Sequence, residues 1–371
     1  MKRMMDHLEK KGRQQMKKKN LKKVAAFILG STMMVSLGAC GGTESKDTTQ
    51  SADTDSETTA NSSKKDTASN SSVELTMASG ATTAHILSKF GQALADAINE
   101  KTEGTVTVKY YPGDTLAEAG QRMEMNMNGD LDIDIQALSV YDSYNPQQGI
   151  MSAFFMFESW DHYRAVTESD TYAKIIQGFE EATGLTDLGD VYYAKRNFLS
   201  KTPIQSLSDM ENMKFRVPNE EMPIAFIKAL GAAPTPMSGN EVYTSLQNGT
   251  ITATENGAEQ IVSSAFYEVA DNMTMTAHQY QTMHILLSKM AKEKLSEDQL
   301  KAVQEAVDET VAEYDPLCQE QEATQEDFLR ENINVYDIDL TDFYEAAEKT
   351  YDEFDDVWGD GTWEKFKELA K

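Results

Sequence analysis

Residues 41–72 read GGTESKDTTQSADTDSETTANSSKKDTASNSS and contain no aromatic and no β-branched aliphatic residue. Such a stretch cannot bury enough apolar surface to offset the entropy lost on ordering. It therefore divides the chain. Whatever folds is built from Val73–Lys371, and the stretch itself reads as a flexible tether. What remains is long enough for two α/β lobes and a sizeable core.

Ahead of the tether, Lys17, Lys18, Lys19, Lys22 and Lys23 form a basic cluster, and Val24–Leu37 is an apolar run too short to span a membrane comfortably. The run ends in Leu37-Gly38-Ala39-Cys40. Small residues just before a cysteine resemble the lipobox of bacterial lipoproteins, where signal peptidase cuts before the cysteine and the thiol carries lipid. The resemblance implies a signal peptide over 1–39 and a lipidated Cys40 opening a tether over 40–72. A lipid anchor would then hold the folded part at the outer face of the cytoplasmic membrane; an ordinary signal peptide or a signal anchor is the alternative. Each buried CH₂ of an acyl chain contributes roughly 0.8 kcal/mol, so a multiply acylated cysteine anchors stably where a single chain does not. Residues 1–15 make a long leader, and Met16 offers a second start.

The chain carries a formal charge of −27, and residues 1–23 are basic, so the folded part is more acidic than the whole. That surface argues against nucleic acid and anionic lipid as partners. The only cysteine besides Cys40 is Cys318, so no disulfide framework exists, and Cys318 is expected as a partly buried free thiol. There is no G-x-S-x-G, no Walker A, no H-E-x-x-H and no G-x-G-x-x-G after a strand. His278 and His284, six apart, make no convincing zinc set with the other histidines. The residues suggest no enzyme and require no cofactor.

Along the folded part, 73–79 alternates like a strand, and Ile86, Leu87, Phe90, Ala93, Leu94, Ala97 and Ile98 fall at helical spacing. Strands are predicted over 105–112 and 131–138, with a methionine-rich helix over 118–127 between them. This β-α-β-α-β order predicts a mostly parallel α/β sheet. Residues 152–157, SAFFMF, read as a buried segment. Further strands are predicted over 190–200, in 213–218 and over 250–257. Helices are predicted over 223–230, closed by Gly231, and over 240–249, with Asn240 as N-cap and Gly249 past its end. A long helical region over 297–331 is expected to break or kink near Pro316. Two more helices, about 342–358 and 363–370, end the chain.

From Val73 onward there are five arginines, Arg122, Arg164, Arg196, Arg216 and Arg330, against many more lysines. Sparing use of arginine suits positions that need a planar, bidentate fork. Composition alone reads Arg216 more readily as half of a structural ion pair.

Residues 194–270 carry a resemblance that shifts this balance. KFRVP at 214–218, ALGAAPTPM at 229–237, EVYTSLQNG at 241–249, ENG at 255–257 and FYEVA at 266–270 resemble the signature region of solute-binding proteins of tripartite ATP-independent periplasmic (TRAP) transporters, the dicarboxylate-binding family. YPGDTL at 111–116, GDLDI at 129–133 and FFMF at 154–157 extend the likeness over the whole folded part. The resemblance implies a two-lobed periplasmic-binding-protein-like α/β fold with a hinge and an interlobe ligand cleft. Lobe I would comprise roughly 73–193 plus 282–321, and lobe II roughly 194–281 plus 322–371.

It also implies a site. Arg216 matches the arginine that forms a bidentate salt bridge to the ligand carboxylate, Arg196 a second arginine on the preceding strand, and Asn256 the asparagine of the family's E-N-P motif. Asn219 matches a polar contact of some members, and Glu255 of the same motif is counted with the candidate ligand-binding residues. This chain departs from the family pattern at Gly257, where proline is usual, at Gly239, where some members place an aromatic, and at Ala137, where sialic-acid binders carry glutamate. Gln136, His85, Tyr141 and Tyr144 are the candidate replacements in the first lobe, each with a packing or surface role as its alternative.

The function implied is capture of a small organic acid, a carboxylate such as a C4-dicarboxylate or a sugar acid, by a monomeric lipoprotein. Delivery would be to the small and large membrane subunits of a TRAP permease. Presentation of ligand to a sensory receptor is the alternative, and an extracellular enzyme is disfavoured by the missing nucleophile and metal sets.

Overall fold

The computed structural model describes residues 72–370; the lipobox, Cys40 and all but the last residue of the tether lie outside the described residues. Nine strands form one sheet: β1 (Val73–Ser79), β2 (Val106–Tyr111), β3 (Ile133–Gln136), β4 (Thr186–Ser200), β5 (Lys214–Val217), β6 (Ala233–Pro236), β7 (Ala253–Asn256), β8 (Asn272–Leu287) and β9 (Asn334–Tyr336). Their order is β2-β1-β3-β8-β4-β7-β5-β6, with β9 against β8.

The parallel expectation holds in the two outer parts. There β1 pairs in parallel with β2 and β3, and β5 with β6 and β7. In both parts a helix returns the chain between successive strands, as parallel pairing requires. The centre corrects the expectation. β8 runs antiparallel to both β3 and β4, and β4 antiparallel to β7, so the sheet is mixed. β4 and β8 are fifteen and sixteen residues long and link the two parallel parts. Their ladder shifts register between Asp187 and Asp190, between Tyr192 and Ala194, and between Arg196 and Phe198.

Each part has its own apolar cluster. One gathers Leu75, Phe90, Leu94, Ile133 and Ile285; the helix Ile86–Lys101 presents Phe90, Leu94 and Ile98 to it at helical spacing. The other gathers Phe154, Phe198, Phe215, Phe226 and Trp358, and it swallows the whole of Ala153–Phe157. Gly231 and Gly249 adopt φ of +87° and +78° past the helices Glu221–Ala229 and Val242–Asn248. A side chain would strain both turns. Asn240 does not cap the second of these helices. The N-cap position of that helix is Glu241, which makes no side-chain cap, and Ser238 instead caps the short turn Gly239–Glu241 that leads into it, accepting from Asn240 N and forming a capping box with Glu241.

The helix Glu297–Asn332 runs unbroken through Pro316. Proline removes one backbone hydrogen bond, but Val303, Val307, Cys318, Glu322 and Leu329 bury one face along the full length, and that packing carries the helix past the defect. Cys318 is fully buried there, and burial raises its thiol pKa to about 12. Glu322 accepts from the Lys195 amide at 3.0 and 3.1 Å and from the Tyr192 hydroxyl, and burial pushes its pKa to about 7.

Beside Glu322 lies Gly257, in an extended conformation (φ −71°, ψ 156°) that any residue, proline included, adopts. The constraint there is space. A Cβ at Gly257 would stand 2.5 Å from Ala194 Cβ and 2.9 Å from Glu322 Oε1. Overpacking of this kind typically costs about 1–3 kcal/mol. Gly257→Ala is expected to lower stability by about that amount, read as a lower midpoint in urea unfolding with an unchanged slope.

Candidate functional site

The parallel strands direct their carboxyl ends to one place. Gly80 and Ala81 follow β1, Gln136 and Ala137 close β3, Arg216 and Pro218 close β5, and Asn256 closes β7; all line a cavity of about 200 Å³. Open α/β sheets bind ligands at this end of their strands. The long strands complete the wall, β4 with Arg196 and β8 with Gln279 and Gln281.

The geometry treats the two arginines differently. Arg196, 7% exposed, forks onto Glu255: Nη2 donates to Oε1 at 2.7 Å and Nε to Oε2, while Nη1 donates to Gln281 Oε1 at 2.7 Å. His278 Nε2 stands 3.5 Å from the same carboxylate. Burial alone would raise the Glu255 pKa, but Arg196 and His278 overcome it and hold the carboxyl at about 2. Arg216 is 6% exposed, and its Nε and Nη2 donate only to the Met237 carbonyl, at 3.1 and 2.9 Å. Burial lowers its pKa below the ordinary arginine value; Glu255 pulls it back and Arg196 adds to the lowering.

Among the described residues every other arginine bonds to a carboxylate: Arg122 to Asp134 and Asp114, Arg164 to Asp190, Arg196 to Glu255 and Arg330 to Asp337. Arg216 alone has no acid within ion-pair distance. A buried guanidinium left in this state is costly, and an anion in the cavity would complete its fork.

Asn256 stands beside it. Its Oδ1 accepts from the Gly257 amide at 2.9 Å, and its Nδ2, on the cavity wall, bonds to no described residue. Gln279 likewise lines the cavity with no side-chain hydrogen bond to the described residues. Gln136 also lines it, but Arg122 Nη2 donates to its Oε1 at 3.3 Å and its Nε2 donates to Ala119 O at 3.1 Å. Asn219 is exposed and borders an adjoining space.

The remaining first-lobe candidates lie elsewhere. Tyr141 is wholly buried in an apolar cluster, edge-on to Phe179 at 5.5 Å, and does not line the cavity. Its ring is an apolar filler. His85 is buried behind the wall: Nδ1 accepts from Leu87 N, capping a helix, and the ring stacks on Tyr193 at 5.3 Å. Burial lowers its pKa to about 4, so it is neutral there. Tyr193 lines the cavity in its place, with its hydroxyl donating to Gln260 at 3.3 Å. Tyr144 is on the surface. Sequence reasoning missed Gln279 and Gln281 because β8 went unrecognised; their period-two spacing in HQYQT was the available signal. Arg122 was visible as a scarce arginine, but nothing local joined it to Asp114 and Asp134.

Comparison with known proteins points one way. Residues 77–356 match the family described as bacterial extracellular solute-binding protein, family 7 (DctP). The sialic acid-binding periplasmic protein SiaP of Vibrio cholerae is 29% identical over 287 residues, 77% of this chain and 89% of its own. A solute-binding protein of Roseobacter denitrificans is 30% identical over 261 residues, 70% of this chain and 78% of its own. Among solved structures, the sugar acid binding protein of Advenella mimigardefordensis in complex with galactonate superposes with a TM-score of 0.77 at 22% identity, covering 81% of this chain and 98% of its own. That likeness shows the shared fold.

Removing one partner of a buried pair typically costs about 3–5 kcal/mol. Glu255→Gln is expected to destabilise the protein by that amount near neutral pH. The Glu255 pKa is depressed on folding, so its contribution is present above about pH 4.5 and is lost as pH falls towards 2. The difference between wild type and variant should shrink over that window, as measured by urea unfolding at a series of pH values.

Proposed function

The chain belongs to the bacterial extracellular solute-binding proteins of family 7, and from that premise we propose that it captures a small organic acid by its carboxylate, with Arg216 as the grip. The acid passes to the small and large membrane subunits of a TRAP permease. The carrying observation is the buried Arg216, the one arginine of the folded part with no acidic partner, at the carboxyl ends of the parallel strands. Asn256 supplies a free amide donor beside it. Arg196 acts differently from a second fork on the ligand: its Nε and Nη2 are committed to Glu255, so it sets the position and potential of the wall. Sugar acids are the favoured class, since galactonate occupies the A. mimigardefordensis protein and L-galactonate the R. denitrificans one.

The acidic body of the protein repels an anion at long range, but at physiological salt such fields fade within about 8 Å. Inside a cleft that excludes water, the local guanidinium dominates. A monomer tethered by lipid on Cys40 to the outer face of the cytoplasmic membrane completes the proposal, on the order of basic cluster, apolar run, small residues and cysteine in the sequence.

Two measurements test it. In a thermal-shift panel of organic acids, a ligand at 100 times its Kd stabilises by about 2.7 kcal/mol. Arg216→Lys is expected to abolish most of that shift while the ligand-free protein melts as before, because lysine cannot form the fork; undiminished affinity in this variant would remove Arg216 from the site. Separately, Cys40→Ser is expected to move the protein from the membrane fraction to the soluble fraction, and unchanged fractionation would rule out the lipid anchor.

A further inference from the structure

Five amide side chains line the chamber at Arg216: Gln136, Asn256, Gln260, Gln279 and Gln281. Four of them are spent, wholly or in part, inside the protein. Gln136 is bonded to Arg122 and to the Ala119 carbonyl, Gln260 to the Tyr193 and Ser264 hydroxyls, Gln281 to Arg196, and Asn256 to the Gly257 amide. Gln279 is 4% exposed, and among the described residues neither its Oε1 nor its Nε2 has a hydrogen-bond partner. The amide is not sealed in protein: it borders the chamber and a polar pocket of about 20 Å³ that shares Ala137, Gln279 and Gln281 with it. That pocket has room for about one water. Strand order fixes where Gln279 stands. On β8 it is the cross-strand partner of Arg196 on β4, and on the far side of β4 follow β7 with Asn256 and then β5 with Arg216. Neighbouring strands lie about 4.8 Å apart, so β8 is about 10 Å from β7, a gap that a chain of a few carbons and one side chain bridges.

We infer that Gln279 is a ligand-binding residue that reads a hydroxyl on an acid held by its carboxylate at Arg216, so that the site takes a hydroxy acid in preference to the same acid lacking that group. The inference rests on Arg216 as the carboxylate grip. A hydroxyl matches a free amide because it accepts from Nε2 and donates to Oε1 at once, whichever way the amide is turned. A methylene meets neither end, a carboxylate only accepts, and an ammonium only donates. Without ligand the protein carries a buried amide that bonds to nothing in it, and a polar group left in that state is destabilising. The hydroxyl relieves this. A site built to bond a hydroxyl rejects the analogue that lacks it, because the site's own polar group is then left unpaired. Gln281, two residues along the same strand, is held by Arg196 and lacks this freedom.

The test is a cycle of ligand against variant by titration calorimetry. The acids are gluconate and galactonate, each with its monodeoxy forms; the proteins are the wild type, Gln279→Leu and, as a second apolar replacement, Gln279→Met. One deoxy form is expected to bind the wild type about tenfold more weakly than its parent. The variants are expected to bind the parent about tenfold more weakly and to lose nothing further for that deoxy form, which couples the amide to one hydroxyl. Ligand-free, the variants are expected to melt at or above the wild-type temperature, because they remove an amide that has no partner. Lower ligand-free melting in both variants, with equal loss for every acid, assigns Gln279 a structural role and overturns the inference. Undiminished binding of the parent acids in the variants overturns it too, and in both cases the grip stands. If neither parent acid binds the wild type, the hydroxy-acid inference falls, while Arg216 is judged separately by the Arg216→Lys variant with whichever organic acid does bind.

Discussion

The pairing of β4 with β8 is the constraint on which the rest depends. Two parallel sheet portions, each with its own apolar cluster, share no short connection; two long antiparallel strands make them one sheet. The same strands carry Arg196, Gln279 and Gln281 to the cavity, so the joint and the binding wall are one piece of backbone. The helix Glu297–Asn332 backs this joint, with Glu322 bonded to the Lys195 amide and the Tyr192 hydroxyl. Next to Asn256 at the end of β7, Gly257 lets β4 and the helix approach without a side chain between them.

Charge in the cleft follows from how few cations are spent there. Arg196 and Glu255 satisfy one another inside the protein, and desolvating both is offset only by their close geometry and the extra bonds from Gln281 and His278. That pair contributes no net charge to the cavity. Arg216 therefore supplies the positive end, bonded to a carbonyl that leaves its charge uncompensated. Arg216 also borders the adjoining space, where Glu118, Glu220 and Glu221 stand in the lining with it.

Much of this was legible in the sequence. The helix Ile86–Lys101 follows from its apolar spacing, and the strand at Arg216 from Phe215 and Val217 before a proline. The likeness of 194–270 to a known family put Arg216, Arg196 and Asn256 in one neighbourhood, where adjacent strands β4, β7 and β5 hold them. The rest was hidden for physical reasons. β8 mixes threonine, histidine and glutamine with apolar residues and is buried on both faces along nearly its whole length, with one stretch lining the cavity, which blurs any single period. Nothing near Arg196 announces that Glu255, fifty-nine residues on, takes its fork. Tyr141 and His85 have side chains suited to a binding site, and only burial tells that one fills a core and the other caps a helix. Pro316 signals a break by local rules, and a long buried face overrides it.

The register shifts along β4 have a mechanical meaning. A ladder in uniform register is a stiff beam. Each shift leaves residues without a cross-strand partner and bends the strand, which turns the beam into short rigid links with joints between them. Flexing at a joint leaves the bonds within each link untouched. Two of the joints, at Tyr192/Ala194 and at Arg196/Phe198, stand on either side of Arg196. The buried charge pair therefore sits between two joints, where a bend of the strand leaves the ladders on either side in register.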